Sequence, residues 1–286
     1  MTRRPDLLRR INLAVWILVA VLVVGVVITL FYYEKIALHF FGPPAVEMEE
    51  RYAGSGDGAT TFDHGAWTAL LAAHVDEEGR WDYPGLRADR RALAAYLDAV
   101  AAAPFAALSR DGKLALLLNL HNAATARLVI EHSPESSIRE IPEADRWQAA
   151  RWRVAGETLS LDQIENDWLR ARFVEPRIHF ALVTASLGGP PSRREAYVAE
   201  RLEEQLQAQA LRFHSLPRGL VIDPEKRRVS LSRIYQWFDG DFRQVEGDPR
   251  RYAARFDATL AGIMDGNETW SFGWLDYDWD LDARAD

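Results

Sequence analysis

Pro176-Arg177-Ile178-His179-Phe180-Ala181-Leu182-Val183-Thr184-Ala185-Ser186-Leu187-Gly188-Gly189-Pro190-Pro191 is an apolar stretch that runs into a Gly-Gly-Pro-Pro turn. Ile178, Phe180 and Leu182 alternate with His179, Ala181 and Val183, so the pattern predicts a strand over residues 177–185 that is buried on both faces. Elsewhere helical spacing dominates. Residues 62–75 carry Phe62, Ala66, Leu70 and Ala73 on one face, and residues 93–102 continue in that style. Behind Ser109, residues 113–131 are apolar nearly all round, which predicts a deeply buried helix with Asn119 and Asn122 on one side of it. Ser160 and Gln163 have the spacing of a capping box and start a helix over residues 161–172. Residues 195–213 read as an amphipathic helix and 220–231 as a hairpin around Asp223-Pro224. Residues 276–282 alternate aspartate with Tyr277, Trp279 and Leu281 and predict an edge strand. The fold class is α+β: a small, mostly antiparallel sheet packed by several helices and preceded by one transmembrane helix.

That last element comes from residues 13–31, an apolar run broken only by Gly25 and Thr29. At ~1.5 Å per residue it is long enough for the ~30 Å hydrocarbon core of a bilayer. It ends in Leu30-Phe31-Tyr32-Tyr33-Glu34-Lys35 and not in a small-residue cleavage site, as an uncleaved anchor would. Arg3, Arg4, Arg9 and Arg10 precede it, which places the N-terminus in the cytoplasm. The expected organisation is therefore a cytoplasmic segment 1–11, a membrane helix 12–33, a linker 34–61 marked by Pro43-Pro44 and Gly54-Ser55-Gly56-Asp57-Gly58, and an external domain 62–286. In a bacterial cell that means the inner membrane, single-pass, with the domain in the periplasm. Of 34 basic and 42 acidic side chains, five and two lie in residues 1–41, so the remainder has a formal charge of −11. Nucleic acid is not an expected partner of such a surface.

Several separated segments resemble the family called domain of unknown function 547. Asn119-Leu120-His121-Asn122 is similar to its Asn-Ala-Tyr-Asn, Ser137-Ile138-Arg139 to its Ser-Ile-Arg, and residues 159–166 to its Leu-Ser-Leu-x-x-Ile-Glu-His, with Asn166 where histidine is usual. The opening stretch resembles Pro-Arg-x-His-Phe-Ala-Leu-x-Cys-Ala-Ser-x-x-Cys-Pro, with Thr184 and Gly189 at the two cysteine positions. Ser232-Arg233-Ile234-Tyr235-Gln236-Trp237-Phe238, Asp241-Phe242 and Tyr277-Asp278-Trp279 follow in order. The resemblance implies a cysteine and a histidine at positions 184 and 166 as a thiol nucleophile and its base, within a few ångströms of each other. With Thr184 and Asn166 there, it implies a degenerate site in this chain.

The chain has no cysteine, so thiol and disulfide chemistry are excluded. Ser186 could stand in as nucleophile with His179 or His121 as base, although no Gly-x-Ser-x-Gly elbow surrounds it. Glu165 is a further catalytic candidate, and with Arg177 it could form a buried ion pair. Asn119, Asn122, Asn166, Arg177 and Thr184 are the candidate binding residues. No His-Glu-x-x-His or other ligand spacing calls for a metal, and no cofactor is expected. The functional expectation is a membrane-anchored module that binds a small molecule or a protein. The alternative is a hydrolase or transferase with cysteine-peptidase-like logic that uses Ser186 or an activated water.

Overall fold

A computed structural model describes residues 15–19, 21–26, 42–56 and 60–284. The chain forms two compact units, Met1–Pro44 and Ala45–Asp286. In the first, residues 15–19 and 21–26 are helical and exposed. The rest of the predicted 12–33 span lies outside the described residues, and among those described no helix is long and apolar enough to cross a membrane.

The second unit is built on the helix Arg110–His132. Its start is fixed by the Ser109 hydroxyl, which accepts the Gly112 N–H, and it is buried almost without interruption from Gly112 to Ala126. A helix apolar on every side needs cover on every side. The helices Gly65–His74, Tyr83–Ala88 and Arg90–Ala101 provide it on one flank, where Trp67, Trp81, Tyr83 and Tyr96 stack ring on ring. On the other flank lies a segment that begins at Leu161–Gln163 behind the Ser160–Gln163 capping box and continues as a π-helix over Ile164–Arg170. Within the segment predicted as linker, residues 46–52 pack on this unit. Glu50 pairs with Arg110 at 2.9 Å, Tyr52 packs on Phe105 and Phe173, and the Gln244 amide bonds the Met48 N–H and the Val46 carbonyl.

The α+β class holds, with helices dominating two small sheets. The strands β1 (Trp152–Val154) and β2 (Glu157–Leu159) form an antiparallel hairpin. Ala155 and Gly156 both have positive φ in its two-residue turn, as a twist-matched turn requires. The second sheet, ordered β3 (Leu220–Asp223), β4 (Arg228–Leu231), β5 (Ser271–Trp274), is mixed: β3 and β4 are the expected hairpin, but β5 lies parallel to β4. Val229 and Leu231 cover a second core of Phe180, Phe213, Tyr235, Phe242, Tyr252 and Phe256.

Three local expectations are corrected. Residues 276–282 form no strand; Tyr277, Trp279 and Trp237 pack their rings together, and the segment runs extended with one isolated bridge from Asp280 to Ser137. The helix expected from residue 195 begins only at Leu202, after a 3-10 turn at Ala199–Arg201. The predicted strand at 177–185 is instead a short helix, Ile178–Ala181, followed by a turn. Where every side chain is buried, a period of two and a period of 3.6 leave the same apolar trace.

Candidate functional site

The helix Ile178–Ala181 is too short to satisfy its own backbone, and side-chain amides complete it. Asn122 donates through Nδ2 to the Ala181 carbonyl at 2.9 Å and accepts the Val183 N–H through Oδ1 at 3.0 Å. Gln209 donates through Nε2 to the carbonyls of Phe180 and Pro191. One turn earlier on the long helix, Asn119 treats Tyr197 the same way, donating to its carbonyl at 2.7 Å and accepting its N–H at 3.0 Å. Each asparagine thus replaces a strand neighbour, a structural role in which buried backbone groups are paired. The two line one cavity with Ala181, Val183 and Ser192, but its volume of about 10 Å³ admits one water at most. Glu165, Asn166 and Thr184 do not line it.

A second cluster gathers at Arg170. Its guanidinium grips Asp241 with Nε to Oδ2 at 2.7 Å and Nη2 to Oδ1 at 2.8 Å, and donates from Nη1 to Asn166 Oδ1 at 2.7 Å. His179 Nε2 lies 2.9 Å from Asp241 Oδ2, and its ring stacks on Phe238 at 3.8 Å. The Arg170, Asp241 and His179 side chains are all 1% exposed or less, so the charges compensate each other away from water. Burial alone would raise the Asp241 carboxyl, but the hydrogen bonds from Arg170 and His179 hold it at about 2. Burial pushes the His179 imidazole down against the pull of Asp241, so at neutral pH it is uncharged. His179 Nδ1 is buried without a partner.

Glu165 stands beside this centre and belongs to none of its bonds. In the π-helix the Ala171 N–H reaches back to the Asn166 carbonyl, and the wider turn sets Glu165, Asn166 and Arg170 together. The Glu165 carboxyl is half-buried and makes no hydrogen bond or ion pair among the described residues. Burial raises it to about 7; Arg170 opposes this, while Asp162 and Asp241 add to it. The expected ion pair with Arg177 does not form. Arg177 instead forks to Glu175 at 2.6 Å and Glu203 at 2.7 Å, because both carboxylates lie on its own side of the domain.

The third cluster is a ring of hydroxyls. Thr184 Oγ1 lies 2.7 Å from Ser186 Oγ and 2.8 Å from Tyr277 Oη, and Ser186 Oγ lies 3.0 Å from Tyr277 Oη. Three hydroxyls can each donate once and accept once around such a ring, so each proton is held by a neighbouring hydroxyl and not by a base. Burial raises the Tyr277 phenol, so it takes no proton at neutral pH. Neither His179 nor His121 bonds Ser186: His179 holds Asp241, and His121 is buried and pushed down to about 4 by that burial. The close approach of residues 276–280 requires glycine at 188, where a Cβ would meet the Asp278 backbone nitrogen at 2.6 Å. Asn166 and Thr184 lie in different clusters, and no hydrogen bond joins them among the described residues.

The model of the family described as Protein of unknown function, DUF547, matches residues 105–213. The chain carries a DUF547 domain. No curated protein and no solved structure matches it. The match takes in Asn119, Asn122, Arg170, His179 and Ser186, whereas Asp241 and Tyr277, which complete two of the clusters, lie beyond it. Arg170, Gln209, Asp241 and Tyr277 were missed as site residues. Arg170 had a spacing signal, four residues after Asn166 on one helix, and Asp241 and Tyr277 stand in segments of the family resemblance, but Gln209 had none.

Proposed function

We propose that the chain is a single-pass membrane protein whose external DUF547 domain binds a ligand carrying a hydrogen-bond donor, an amine or amide, at the Glu165 carboxyl, with Ser186 serving as a structural hydroxyl. The observation that carries this reading is the unpartnered Glu165 carboxylate beside a centre in which Asn166, Arg170, His179 and Asp241 bond one another. A ligand donor would supply the hydrogen bonds that the fold withholds. The anchor is supported by the apolar run at 13–31, whose described side chains are exposed, and by the arginines before it. A reporter active only outside the cytoplasm, fused after Asp286, is expected to work; a soluble extracytoplasmic species starting near residue 45 would contradict the anchor.

The ligand site is tested with Glu165→Gln in the full-length chain. With an ordinary value of 4.5 and a folded value of about 7, the Glu165 contribution to stability is fully present below 4.5 and is lost as pH rises through about 7. Glu165→Gln should therefore be the more stable protein at pH 8, by at most about 3 kcal/mol, and the two midpoints should converge near pH 4.5. A panel of amines and amides should raise the melting temperature of the wild type at pH 8 and leave Glu165→Gln unmoved; equal stabilisation of both contradicts the site.

A carboxyl titrating near neutrality also favours a second reading, in which Glu165 is the base that activates water in a hydrolase. The two separate on turnover: hydrolysis of an amide or ester, lost in Glu165→Gln, supports the second.

A further inference from the structure

The open edge of β5 shares no residue with the Glu165 centre. In the parallel pairing of β5 with β4, the Ser271 N–H reaches the Arg227 carbonyl and the Leu275 N–H the Leu231 carbonyl, so residues 271, 273 and 275 turn their main-chain groups inward. The N–H and C=O groups of Phe272 and Trp274 then point outward, and neither residue has another main-chain partner among the described residues. Among the described residues β4 is the only strand beside β5, so no further strand among them covers this side.

A groove of about 330 Å³ is lined by Phe272, Gly273 and Trp274 of that strand, by Leu231 of β4, and by Pro249 and Arg250, whose guanidinium lies over the Phe272 ring. The side chains of Phe272 and Trp274 share a face with Val229 and Leu231, their partners in register, so the groove opens onto the row of core residues under the sheet. Trp274 remains 37% exposed, which marks where the cover ends. The rim carries two ion pairs closed on themselves, Arg243 with Asp239 and Arg250 with Asp248. Such a rim draws neither a polyanion nor a polycation.

We propose that this edge takes a fourth strand from a partner protein: an extended segment that pairs its main chain with Phe272 and Trp274 and lays alternate apolar side chains into the groove. The unpaired groups are spaced as a ladder spaces them, which a small molecule does not match. The main chain gives the affinity and the groove selects the inward side chains.

The test pans the full-length chain in detergent with a randomised pool of displayed peptides about nine residues long, the upper end of natural strand lengths. Enriched sequences should alternate apolar with polar residues, and their synthetic peptides should protect the Phe272 and Trp274 amides from hydrogen exchange. Methylating alternate peptide nitrogens should weaken binding at least about tenfold, because it removes ladder donors. Trp274→Pro, which removes the outward N–H together with the indole, should do the same, while Trp274→Ala removes the indole but keeps the main-chain donor and binds more weakly by a smaller factor. No enrichment, no protection at those amides, or indifference to methylation overturns the proposal. Self-association of the chain abolished by Trp274→Pro also overturns it, by assigning the edge to a second copy. Glu165→Gln should bind the peptides as the wild type does, so this proposal can fail without the ligand site failing, and the reverse.

Discussion

Asp241→Ala is expected to lower the stability of the domain by about 3–5 kcal/mol, as does removal of one partner of a buried ion pair. The Arg170 guanidinium would be left buried without its bidentate carboxylate, and His179 Nε2 without its acceptor. Asp239→Ala provides the contrast. It sits two residues away and pairs with Arg243, but both side chains are well exposed, so its loss should cost about 0–1 kcal/mol. The Asp241 effect also has a pH signature. Because the folded carboxyl is held at about 2 against an ordinary 3.8, its contribution is present above 3.8 and is lost as pH falls through about 2. Equal midpoints for the two variants in denaturant at pH 7 would show that Arg170 is not held as described.

Thr184→Cys combined with Gly189→Cys is expected to turn a chain without any cysteine into one with a single intramolecular disulfide. A Cβ built on Gly189 lies against Thr184 Oγ1, closer than the about 3 Å that separates a Cβ from the sulfur of its partner in a disulfide. A small rotation at 184 covers the difference. Non-reducing mass analysis after mild oxidation should show nearly complete loss of free thiols. Two thiols that both remain titratable would mean that the turn at 184–189 is not closed as described. This neighbourhood changes how the two cysteine positions of the family resemblance are read. Position 184 faces position 189, while Asn166 accepts from Arg170, so the geometry suits a cross-link between the two cysteine positions.

Much of the frame was legible because its signals are local. Ser109 and the Ser160–Gln163 box announce helix starts within a few residues, and the hairpin at 220–231 needs only its turn. The segment at 177–185 was misread because its backbone is completed from outside, by Asn122 and Gln209, and its own composition records only burial. The Arg170 centre was hidden for the same kind of reason: Arg170 and Asp241 are 71 positions apart, and neither sits in a pattern that specifies the other. The four residues of β5, with a glycine among them, carry too little strand character to show that they lie parallel to β4. Glu165 was picked out as a candidate, but with the wrong partner, since the fold turns Arg177 toward Glu175 and Glu203.

Because the proposed function rests on the open carboxyl of Glu165, the most direct measurement is the pH titration of its side-chain carboxyl carbon by nuclear magnetic resonance, assigned by difference from Glu165→Gln. An apparent pKa of about 7 in the ligand-free domain is the result expected of a half-buried carboxyl with no donor. A value near 4.5 would show that the group is solvated or already paired, and would contradict a binding site there.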